Sequence, residues 1–211
     1  MKNRDNKVEL VGYYGSDLTH AQSAWTSTTR DLDEDKMERY PNLLKMLAEN
    51  GHHTPFEKSS LHFLVTADVA SHIHVIKHRV GCSVNAESAR YKELKEDKNY
   101  IPVDWPITEQ VALEAFCFEA FQKYHNCIRR LVDEHGFDRK RAKESARFYL
   151  PYANQLCFDV MFNWRSFQHF LGLRMKPDAQ LEIRQIAEQM LKLVKNIPEE
   201  PFKYTIEAFK L

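Results

Sequence analysis

The sequence predicts an α+β fold, with mixed helices and an antiparallel-type sheet in a single domain covering residues 1–211. Three observations carry that reading. Short segments rich in β-branched and aromatic residues have the period of two expected of strands. Longer segments repeat apolar residues at helical spacing. The two kinds do not follow the regular strand-helix-strand succession of a parallel sheet.

Taken in order, residues 8–14 and 61–67 read as strands, and residues 35–50 between them as a helix closed by Gly51. Asp68 is placed to cap a helix over 69–79, with Val69, Ile73, Ile76 and Val80 as its apolar stripe and His78 and Arg79 at its C-terminal end. From 107 to 135, Leu113, Phe116, Cys117, Ala120, Phe121, Tyr124, Ile128 and Leu131 keep helical spacing up to Gly136. At ~1.5 Å per residue that helix is roughly 40 Å long. Phe158, Val160 and Phe162 alternate as in a strand. Residues 164–171 and 179–195 read as helices, the second carrying Ile183, Ile186, Ala187, Met190, Leu191 and Val194 on one face.

Composition narrows the function. With 43% hydrophobic and 28% charged residues and a mean hydropathy of −0.56, the chain belongs with globular proteins. Thirty basic residues balance thirty acidic ones, so neither nucleic acid nor a membrane surface is expected as a partner. No run reaches the ~20 apolar residues that span a bilayer, and the charged opening segment does not read as a signal peptide. Four cysteines without a CxxC pair suit a reducing compartment, and the expectation is a cytoplasmic protein. Only six glycines are present, none at GxGxxG or GxxxxGK[ST] spacing, so side chains must hold the phosphates of any bound nucleotide.

The densest chemistry lies in residues 77–91, KHRVGCSVNAESARY. Arginine offers a planar fork to phosphate, the serines and Asn85 add polar partners, and Gly81 lets the chain turn back. Upstream stands His52-His53-Thr54-Pro55-Phe56-Glu57; downstream, in NWRSFQHFLGLR over 163–174, Arg165 and His169 share one helical face. His72, His74 and His78 invite a metal, yet only His74 and His78 are spaced to share a face and no HExxH supplies further ligands, so no metal is expected. Ser88 lacks an adjacent base and reads as a phosphate ligand rather than a nucleophile. On the residues alone two other readings stay open: a metal-dependent nucleotide hydrolase using His52, His53, His72 and His74, and a nucleic-acid-binding module using Lys77, Arg79, Arg90 and Tyr91.

The HxTPFE stretch, the signature related to RHR-x7-S and the NxRSxxxFLxLR stretch together resemble the flavin-dependent thymidylate synthases, from about residue 27 to 180. The resemblance implies a homotetramer that binds FAD without a glycine-rich loop. It also implies conversion of dUMP to dTMP with methylenetetrahydrofolate as one-carbon donor and NADPH as reductant. By the same resemblance Ser27, Thr54, Glu57, His78, Arg79, Val80, Asn85, Asn163, Arg165 and His169 are FAD contacts. His74, Lys77, Glu87, Ser88, Ala89, Arg90, Arg147 and Arg174 are nucleotide contacts, and Arg174 is the catalytic cation beside the uracil. The chain departs from the pattern in several places. Lys77 stands for the signature's first arginine, and eight residues rather than seven separate Arg79 from Ser88. Ala86 precedes Glu87 where an acid is usual, His74 replaces glutamine, and Asp178 replaces histidine. Lys77 and the charged run at 91–98 are similar to virus-encoded members, for which the compartment would be host cytoplasm.

Overall fold

The computed structural model describes residues 5–28, 33–88, 93–94 and 96–211. Its sheet contains β1 (Lys7–Tyr14), β2 (Ser60–Asp68), β3 (Cys82–Ala86) and β4 (Gln155–Phe162), hydrogen bonded in the order β1-β2-β4-β3. Asn163 N donates to Gly81 O and Glu87 N to Cys157 O, so β3 and β4 run in opposite directions. Leu61, Phe63, Val65 and Ala67 on β2 are fully buried while Ser60, His62, Leu64 and Thr66 are only partly so, the one-sided burial that their spacing predicts.

The expected helices form with shifted ends: α2 (Glu34–Glu49), α3 (Val69–Ile76), α4 (Ile107–Asp133), α6 (Trp164–Arg174) and α7 (Leu181–Lys195). Three further helices were not anticipated: α1 (Asp17–Trp25), α5 (Arg139–Ala146) and α8 (Lys203–Ala208). Both α1 and α5 carry sequence caps, a Ser16/Thr19 capping box and Asp138 respectively. Also missed was β3, whose small residues alternate in burial but whose ligand-type side chains read as a loop.

The α3 expectation needs correction. Asp68 caps it as predicted, its carboxylate accepting from Ser71 N and Ser71 Oγ. The helix buries Ser71 and Val75 rather than the stripe through Val69, Ile73, Ile76 and Val80, because the inward Ser71–Asp68 contact sets its rotation. It also ends at Ile76, leaving His78 and Arg79 in the following loop, with Val80 84% exposed.

The chain divides into two compact units whose segments interleave in sequence. Unit I gathers Thr66–Val75 and Asn85–Phe158 with the residues up to Lys7. Within it α4 packs on α5, and Tyr124, Ile128, Ala142 and Ala146 make the buried centre. Unit II gathers Val8–Val65, Ile76–Val84 and Asp159–Leu211. Its centre is aromatic: Phe63 stacks on Phe167 and Trp164 on Phe202, with centroids 5.6 and 5.0 Å apart. The six apolar residues expected on one face of α7 are all buried.

A buried polar chain ties α1 to α8 inside unit II. Thr205 Oγ1 donates to Asp17, which also accepts from Tyr204 N and Thr205 N, each at 2.8 Å. Because that hydroxyl gives its proton to Asp17, it accepts from His20 Nδ1 at 3.0 Å, and His20 Nε2 then accepts from Ser59 Oγ at 2.8 Å. This arrangement needs a neutral imidazole, and burial lowers the His20 pKa from 6.5 to about 4. A depressed folded-state pKa stabilises fully above the unfolded value and loses that stability as pH falls through 6.5 toward 4. Asp17, raised by burial, gains protons in the folded state and offsets part of the loss. Urea unfolding is expected to show a loss of about 2 kcal/mol between pH 7 and pH 5, flattened in His20→Gln. An unchanged pH slope in that variant would remove His20 from the account.

Candidate active site

The site in unit II is built on the N-terminal turn of α6. Asn163, in extended backbone, caps the helix by accepting from Ser166 N at 2.9 Å. The same turn seats the loop after α3: Asn163 N donates to Gly81 O at 3.0 Å, and Ser166 Oγ donates to Val80 O. Gly81 lies at φ +62°, in the left-handed region that reverses the chain there. The spacing of α6 then sorts its side chains. Trp164, Phe167, Phe170 and Leu171 are fully buried, while Arg165 and His169 are exposed on the opposite face.

Arg165 Nη1 donates to Glu57 Oε1 at 2.5 Å, joining α6 to the 3-10 turn Thr54–Glu57. That turn packs on both α1 and α6. Thr54 is exposed at its start, and Ser27 at the end of α1 turns its hydroxyl back to Ala24 O. Arg174, in the last turn of α6, directs Nε to His78 Nε2 at 3.1 Å. An imidazole that accepts at Nε2 carries its proton on Nδ1. The His78 ring rests edge-on against Phe170 at 5.0 Å and near the His169 ring at 6.2 Å. Burial lowers the Arg174 pKa from its ordinary value, the desolvation that strengthens a cation's interaction with a neighbouring anion. Lys77 and Arg79 are exposed on the loop. Burial pushes the Cys82 thiol up to about 11, which removes it as a thiolate nucleophile.

Of the nucleotide-type residues, His74, Glu87, Ser88 and Arg147 fall in unit I, as does exposed Asn85 from the flavin set. Glu87 and Arg147 line one cavity of about 400 Å³. Glu87 is locked to β4: its backbone N donates to Cys157 O, and its carboxylate accepts from Cys157 N, both at 2.9 Å. A carboxylate and a guanidinium share this cavity with an apolar wall that the sequence reading missed, formed by Phe148, Leu150, Pro151 and Leu156. The signal was present in the RFYLPY run at 147–152, aromatic without helical or strand period; Phe148 is 85% exposed and Tyr152 67%. Ala89 and Arg90 lie outside the described residues. Among the described residues, no three His, Cys, Asp or Glu side chains converge as a metal site would require.

Comparison with known proteins places the chain by sequence and by fold. The sequence model of the family described as "Thymidylate synthase complementing protein" matches residues 9–199. The flavin-dependent thymidylate synthase of Thermosipho africanus is 32% identical over 212 residues, covering 96% of this chain and 90% of its own. That of Pseudothermotoga lettingae is 30% identical over 209 residues, covering 96% and 89%. The crystal structure of the UMP/dUMP methylase PolB from Streptomyces cacaoi bound with 5-Br dUMP is similar at a TM-score of 0.79 and 31% identity, covering 99% of this chain and 96% of that one. A second PolB structure, bound with 5-Br UMP, gives the same TM-score at 28% identity. The match over residues 9–199, with a capped α6 carrying Arg165, His169 and Arg174, means that the chain belongs to the flavin-dependent thymidylate synthase family.

Proposed function

We propose that this protein converts dUMP to dTMP, taking a methylene group from methylenetetrahydrofolate and the reducing equivalents from NADPH by way of bound FAD. The observation that carries this reading is the Arg174–His78 contact at 3.1 Å, a half-buried cation held at the end of the helix that also presents Arg165 and His169. Deprotonating the uracil imide makes C5 a better nucleophile, and a fixed guanidinium stabilises the charge that develops. The donor set of unit II suits FAD: guanidiniums of Arg79 and Arg165, imidazoles of His78 and His169, and the Thr54 hydroxyl match a pyrophosphate and the polar edge of a flavin. Ser27, Glu57, Val80 and Asn163 complete that set in this reading, and Asn85 of unit I is a further flavin contact. FAD, when bound, supplies the hydride that turns the transferred methylene into methyl.

The nucleotide contacts are His74, Lys77, Glu87, Ser88, Ala89, Arg90, Arg147 and Arg174. In the unit I cavity Arg147 offers a fork to an anion and the apolar wall offers a face to a pyrimidine. Assembly as a homotetramer is supported by Ile107, Val111 and Phe118, which line one side of α4 and are 58 to 70% exposed. Light scattering should give a mass near four copies of the 24.9 kDa chain; an active monomer would contradict it. In this reading the protein acts in the cytoplasm on small molecules, without nucleic acid or membrane partners; no described helix is long and apolar enough to cross a membrane. The decisive experiment mixes the purified, FAD-loaded protein with dUMP, methylenetetrahydrofolate and NADPH. Formation of dTMP is expected; failure to take up FAD, or NADPH oxidation without dTMP, would overturn the assignment.

A further inference from the structure

His72 belongs to neither the flavin nor the nucleotide contacts above, yet it lines the unit I cavity together with Glu87 and Arg147. It follows Val69 by three residues on α3, which brings both to the cavity side of that helix. Its ring packs on Phe158 of β4 with centroids 4.7 Å apart. Its Nε2 is shut off from solvent and has no hydrogen-bond partner among the described residues. A buried polar atom left unsatisfied is costly, and native structures keep one where something else completes it.

We propose that His72 is a substrate-positioning residue whose Nε2 hydrogen-bonds a neutral hydroxyl or carbonyl of the nucleotide when it enters the unit I cavity. The inference rests on the nucleotide reading of that cavity. Burial lowers the His72 pKa, keeping the imidazole neutral, so it suits an uncharged group, while Arg147 is the group with the charge for phosphate. The ring edge is covered in the present arrangement, so the entering group has to draw it a short way into the cavity.

The test measures dUMP binding by calorimetry for the FAD-loaded wild type and for His72→Leu, His72→Asn and His72→Gln. Leucine keeps the packing on Phe158 and removes both nitrogens; asparagine places its amide near Nδ1 and glutamine near Nε2. Affinity is expected to fall about tenfold in the leucine and asparagine variants and to stay within about threefold of wild type in the glutamine variant. The same ratios are expected with 2′-deoxyuridine, which has no phosphate. Wild-type affinity in His72→Leu, equal losses in the leucine and glutamine variants, or ratios that collapse to one with 2′-deoxyuridine would each overturn the role of His72. A wild-type protein that does not bind dUMP would overturn the nucleotide reading itself, and His72 with it.

Discussion

Gly81→Ala is expected to unseat the loop that carries His78, Arg79 and Val80, lowering the melting temperature by about 10 °C and leaving the purified protein largely free of flavin. Two independent costs combine. At φ +62° an alanine pays the left-handed penalty of about 1–2 kcal/mol. Its Cβ would also fall on the side-chain amide of Asn163, whose oxygen caps α6, and on the Ser166 hydroxyl, which donates to Val80 O of this loop. Overpacking of this kind costs about 1–3 kcal/mol, and here the displaced atoms are hydrogen bonded, so relief of the clash breaks the cap. Differential scanning fluorimetry with and without FAD, followed by an FAD titration, checks both parts. A Gly81→Ala protein that melts and binds FAD like the wild type would show that the loop seat does not organise the site.

The seat explains why part of the site was legible in the sequence and part was not. Asn163, the exposed pair Arg165 and His169, and the buried Phe167, Phe170 and Leu171 follow from one cap and one helical period, information carried within a dozen residues. The turn at Thr54–Glu57 is equally local, with proline near its start. The end of α3 was not local. Nothing in the 77–80 run forbids helix; the chain leaves it because Gly81 must meet Asn163, more than eighty residues away. The cavity wall of Phe148, Leu150 and Pro151 was hidden for a related reason. Its residues have no period, and their meaning depends on Glu87 arriving from β3. The rotation of α3 was misjudged because a small polar residue, Ser71, took the buried position through its bond to Asp68.

Arg174→Lys is expected to lower dTMP formation by on the order of a hundredfold while leaving NADPH oxidation in the absence of nucleotide near its wild-type rate. The charge is the same in both residues, so the difference has to come from geometry. Arg174 directs Nε to His78 at 3.1 Å, and a guanidinium presents its nitrogens as a rigid planar fork that matches a planar partner such as the uracil imide. A lysine has one ammonium on a flexible stem. If it meets His78 it is held away from the substrate, and if it meets the substrate His78 loses its donor. Losing one oriented donor to a developing anion costs about 2.7–4 kcal/mol in transition-state stability, which sets the hundredfold scale. Binding of dUMP in the ground state should weaken far less, because the neutral imide has little charge to lose. Stopped-flow measurement of the two half-reactions separates the cases. A slowed step on adding dUMP and methylenetetrahydrofolate, with the NADPH step intact, is the expected pattern; a wild-type rate for the nucleotide-dependent step would remove Arg174 from the chemistry and leave it as a support for His78.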